Sequence, residues 1–136
     1  MKKGCLKGLI AAIVIGLFAL GLIIYLAAQD AKETPKYTVI ENKQHDIPVK
    51  SQISLRVALT DTTATSEEVK ELLHLLVKSS SNLKMKHHDK PTNVYVYIYK
   101  TKASYEAEPA SWLMMYAKNR SDEEGTYTYQ PLLPFR

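Results

Sequence analysis

The sequence predicts an α+β fold behind one N-terminal transmembrane helix: a small, mostly antiparallel sheet with one amphipathic helix packed on one face. Three observations predict it. The chain of 136 residues opens with a long apolar run free of charge. A later segment repeats apolar residues at helical spacing, and two others alternate apolar and polar residues at period two.

The apolar run, Leu9 to Ala28, reads LIAAIVIGLFALGLIIYLAA and holds no charged residue over 20 positions. At ~1.5 Å rise per residue it spans ~30 Å, the thickness of a bilayer's hydrocarbon core. A cleaved signal peptide, which leaves the domain exported, is the competing reading. Its apolar stretch runs to ~7–15 residues, and Leu26-Ala27-Ala28 is a weak match to its small-residue cleavage site. Lys2, Lys3 and Lys7 precede the run; Asp30, Lys32, Glu33 and Lys36 follow it. That lysine asymmetry orients the N-terminus inside and the globular domain outside the cytoplasm. The expected organisation is a basic N-terminus over 1–8, a membrane helix over 9–28, a juxtamembrane linker over 29–36 and a globular domain over 37–136. Gly8, Ala12 and Gly16 recur at every fourth position and form a candidate packing face for a second membrane helix. Chance recurrence is the plainer reading, because no polar residue accompanies them on that face.

In the globular region, Tyr37 to Ile40 reads as a short strand and Glu41 to Lys50 as a polar loop with Pro48. Ile53, Leu55, Val57 and Leu59 alternate with polar or small residues, the mark of a half-buried strand. Asp61 to Ala64 reads as a turn. Ser66 to Ser80 is the helix: Val69, Leu72, Leu73, Leu76 and Val77 make one apolar stripe, and Thr65 with Glu68 has capping-box spacing. The stripe is expected to cover Ile53, Leu55, Val57, Val94, Val96 and Ile98.

Leu83 to Thr92 reads as a basic loop. Val94 to Tyr99, VYVYIY, is the clearest strand. Thr101 to Ala110, with Pro109, reads as a loop. Trp112 to Lys118 suits a strand or a short helix. Asp122 to Gly125 reads as a turn and Thr126 to Gln130 as a last strand.

Composition narrows the function classes. The whole chain carries 18 Lys or Arg and 14 Asp or Glu, and from Lys36 onward the counts are 14 and 12. So even a balance gives no support to a nucleic-acid binder, which clusters far more positive charge on one face. The single cysteine, Cys5, lies outside the globular region, which therefore holds no disulfide. No GxSxG, phosphate loop, HExxH, CxxC or dinucleotide fingerprint occurs. No cofactor is expected, and no catalytic or metal residue is assigned.

Tyrosines supply the main candidate site. Tyr95, Tyr97 and Tyr99 fall on one face of their strand, and Tyr127 and Tyr129 are expected to continue it on a neighbour. An open tyrosine face is a candidate partner-binding surface. The plainer alternatives are that tyrosine simply favours strands, or that Trp112 and its neighbours cover the face. His87, His88 and Asp89 form a second, weaker cluster. Without further ligands at a metal spacing, a solvated basic loop is its plainer reading. His74 falls on the polar side of its helix. Asn119-Arg120-Ser121 has the form of an N-glycosylation acceptor.

Ile53 to Leu59, Thr65 to Val77, Val94 to Tyr99 and Ser111 to Met114 together resemble small uncharacterised bacterial proteins with a membrane anchor or export segment and an α+β domain. That resemblance implies an α+β fold in a bacterial envelope and no particular chemistry. The resulting expectation is a non-enzymatic single-pass membrane protein whose partners are the lipid bilayer and either a protein or a second copy. The alternatives are a small hydrolase-like envelope enzyme and a membrane-tethered cytoplasmic adaptor.

Overall fold

The computed structural model describes residues 34–61 and 63–130. Five strands form one sheet in the order β1-β2-β3-β4-β5. They are β1 (Tyr37–Ile47), β2 (Lys50–Leu59), β3 (Asn93–Tyr99), β4 (Met114–Lys118) and β5 (Thr126–Tyr129). Helix α1 (Ser66–Ser81) joins β2 to β3, and a short helix α2 (Lys102–Ala107) lies between β3 and β4.

The expected fold class is corrected in three respects. The sheet is mixed, because β2 and β3 run parallel while every other pairing is antiparallel. The reason is the helix between them. Two neighbouring strands joined by a helical crossover return to the same end of the sheet and so must run the same way. The described residues hold two helices where one was expected. Finally, no helix among the described residues is long and apolar enough to cross a membrane. The transmembrane helix expected over 9–28 lies outside the described residues, as do Gly8, Ala12 and Gly16, and it forms no part of the described fold.

The polar stretch read as a loop after Ile40 is instead strand. β1 continues to Ile47 and pairs with β2 down to Ile47 opposite Lys50, leaving Pro48 and Val49 as the turn. As an edge strand open to solvent, β1 needs no apolar alternation, so its polar composition hid it. A register shift between Val39 and Glu41 inserts one residue, a β-bulge that moves the later side chains to the other face.

The helix expectation holds in detail. The Thr65 hydroxyl accepts from the Glu68 N–H, and the Glu68 carboxylate accepts from the Thr65 N–H. Val69, Leu72, Leu73, Leu76 and Val77 are all buried. They form one core with Leu55, Val57, Leu59, Val94, Val96, Ile98, Leu113, Met114 and Tyr116. Ile53 is also buried. Where β2 and β3 begin, Ser51 and Thr92 bind each other through backbone and hydroxyl groups at 2.7–3.1 Å. These bonds satisfy Ser51, which is fully buried.

Candidate functional site

Side chains of directly opposed residues share a sheet face, so the register sorts the tyrosines. Tyr95 and Tyr97 oppose Ala117 and Met115 on β4, and Ser54 and Arg56 on β2. Tyr127 opposes Tyr116, and Tyr129 opposes Met114. Tyr116 in turn opposes Val96, which belongs to the core beneath α1. Tyr127 and Tyr129 therefore lie on the helix-covered face, opposite to Tyr95, Tyr97 and Tyr99. The Tyr127 ring packs against Tyr116 and His74 at 4.7 and 4.5 Å between centroids. Lys70 of α1 sits 5.3 Å from the Tyr129 ring. The expected five-tyrosine platform is split across the two faces.

Tyr99 is on the expected face, but it is wholly buried. Helix α2 packs over that end of β2 and β3. Its Tyr105 meets the Tyr99 ring edge-on at 5.0 Å, and the Tyr99 hydroxyl donates to the Pro109 carbonyl at 2.7 Å. Burial raises the Tyr99 hydroxyl's pKa, with the nearby Arg56 guanidinium opposing. The segment read as a loop from Thr101 to Ala110 thus contains the element that covers this end. Its helix carries its own capping box, Thr101 with Ser104, in which serine replaces the usual Glu or Gln. That substitution left the sequence signal faint.

Among the described residues, no element packs over the stretch from Tyr97 to Tyr95 and the β4 and β5 side chains beside it. Tyr95, Tyr97, Met115 and Ala117 are half-buried, and Thr126 and Thr128 are exposed. The Arg56 guanidinium lies 5.0 Å from the centroid of the Tyr97 ring, a cation–π geometry. Arg56 also pairs with Glu41 across the β1–β2 ladder, and Glu41 pairs with Lys43. Lys43, the largest single influence, acts with Arg56 to hold the Glu41 carboxyl below its ordinary range, against burial, which pushes it up. At the far end of this face the Tyr95 hydroxyl donates to Asn119 Oδ1 at 2.6 Å and accepts from Asn93 Nδ2 at 3.3 Å. Asn119 also donates its amide to Asp122. The glycosylation acceptor is thereby engaged in a fold contact.

The histidine pair has a structural role. Asp46, near the end of β1, accepts from the His87 N–H at 2.7 Å and contacts His88 Nδ1 at 3.0 Å. This clips the 83–92 loop to the hairpin and seats buried Met85. No group of three or more potential metal ligands occurs among the described residues. Asp46 is the participant that sequence reading missed; it lies 41 positions from His87. His74 is exposed, as its place on the helix wheel predicts.

Comparison with family models, curated proteins and solved structures finds no match.

Proposed function

We propose that this chain is a non-enzymatic protein whose α+β domain binds a protein partner through the sheet face bearing Tyr95 and Tyr97. The observation that carries the reading is one-sided cover. Among the described residues, helix α1 closes one face, while α2 reaches only the Tyr99 end of the other. Half-buried aromatic rings on a rigid sheet, with an arginine laid over one of them, suit a protein interface.

The face is favoured over the sheet edges because both edges are blunted. β1 carries a bulge and the charged Glu41 and Lys43, and β5 has only four residues. The charge-free run over 9–28 and its flanking lysines support placing the domain at a membrane surface outside the cytoplasm.

The test is site-specific photocrosslinking of the full-length chain in its native cells, with the reactive residue at Tyr97 and a control at Lys78 on the exposed side of α1. A discrete adduct from Tyr97 alone is the expected result, and its mass separates a second copy from another protein. Equal labelling from both positions, or none from Tyr97 in a folded protein, overturns the reading.

A further inference from the structure

The open face ends in a groove. It holds about 530 Å³ and is lined by Val49, Lys50, Asn93, Asn119, Arg120 and Ser121. Three connections meet there: the β1–β2 turn, the start of β3 and the turn after β4. Asn93 and Asn119 form part of its wall, and both are bonded to the Tyr95 hydroxyl, so the groove continues the tyrosine face.

Its electrostatics are one-sided. The lining includes two cations and no carboxylate. Arg120 is anchored across the gap by a 2.9 Å bond from Nη1 to the Val49 carbonyl, which leaves the rest of the guanidinium fork without another partner among the described residues. Lys50 has no carboxylate partner among them. The carboxylate in the same turn, Asp122, is engaged within the turn itself. It accepts from the Asn119 backbone and side chain and, weakly, from Ser121. Along the neighbouring face Arg56 and Lys43 outnumber Glu41, so the cationic bias extends beyond the groove.

We propose that this groove receives an acidic segment of the protein partner, with a carboxylate side chain held between Lys50 and Arg120. The proposal rests on the partner-binding reading of the face. Charge complementarity selects the occupant. Two cations with no bonded carboxylate among the described residues, one of them pre-positioned by its bond to Val49, favour an anionic side chain over a neutral or basic one. Amide and hydroxyl groups of Asn93, Asn119 and Ser121 suit the backbone of a peptide lying along the groove. The depression is shallow and open to solvent, so it suits a side chain laid on the surface rather than a ligand enclosed by it.

The experiment titrates the full-length chain, in a neutral detergent, with a hexaglutamate peptide, and with hexaserine and inorganic phosphate as comparisons. Backbone amide resonances of Lys50, Asn93, Asn119 and Arg120 report binding. Saturable shifts with hexaglutamate alone are expected, weakened roughly five- to tenfold by Lys50→Ala with Arg120→Ala and by raised salt. Lys50→Glu, at an exposed position, repeats the test without touching the Arg120 bond. Absent shifts, an undiminished response in both variants, or phosphate binding as tightly as the peptide each overturn the proposal. The two readings fail separately. A Tyr97 adduct that persists unchanged in Lys50→Glu sinks the acidic-segment proposal and leaves the face reading standing. Peptide binding with no Tyr97 adduct overturns the face reading, and with it the assignment of the groove's occupant to that partner.

Discussion

At Gly125 a missing side chain is the structural requirement. A Cβ there would overlap the ring of Tyr116, whose side chain packs on the core. Gly125→Ala must displace a ring that also packs against Tyr127, so it should destabilise the domain by about 1–3 kcal/mol. Chemical denaturation measures this, and an unchanged midpoint would refute the close approach. Asp46 is the residue with a pH signature. Burial disfavours its charged form, but the His87 N–H, the His88 ring and the Lys86 backbone outweigh that, and its pKa is lowered. A lowered native pKa stabilises the fold above the unfolded-state value, about 4. That contribution is lost as pH falls through the native value. Asp46→Asn should therefore lose less stability than the parent when thermal melts are taken from pH 5 down toward pH 2. Parallel acid limbs for the two proteins would remove the clip from the account.

At the scale of elements, α1 holds the sheet through a stripe that spacing alone revealed. Leu73 is fully buried at its centre. Leu73→Asp puts an unpaired charge there and should abolish cooperative unfolding, whereas Leu73→Ala should cost about 2–5 kcal/mol and keep it. Circular dichroism melts decide both. Thr65→Ala removes one side of the capping box and should cost about 1 kcal/mol. Other elements were illegible for stated reasons. β1 is polar because it lies at an edge, and its bulge breaks the alternation that would have marked it. α2 is six residues long and has no buried residue, so it shows no apolar stripe. The parallel pairing of β2 with β3 was implicit in strand, helix, strand, but nothing local to either strand states direction.

At the scale of the molecule, the asymmetry of the two sheet faces is the feature from which function is argued. Among the described residues, one face is sealed by a 16-residue helix, and the other carries a six-residue cap at one end only. No cysteine occurs from Thr34 onward, and the described residues pack around one core. Reductant should accordingly leave the thermal midpoint of this domain unchanged, and calorimetry should record a single transition for it. Two separated transitions would contradict the shared core.

The sequence by itself determined α1, its cap, its buried stripe, and the strands whose alternation or aromatic content is strong, because those signals are periodic and local. It also set the charge balance and excluded thiol chemistry in the domain. Only the tertiary structure decided which tyrosines share a face. Tyr127 and Tyr129 join the helix side because their partners on β4 alternate with those of Tyr95 and Tyr97, and Tyr99 is lost beneath α2. Tertiary structure also brought Asp46 to His87 and His88, and Lys50 to Arg120 through Val49. Pairing register and long-range closure depend on residues tens of positions apart, and no local pattern encodes them.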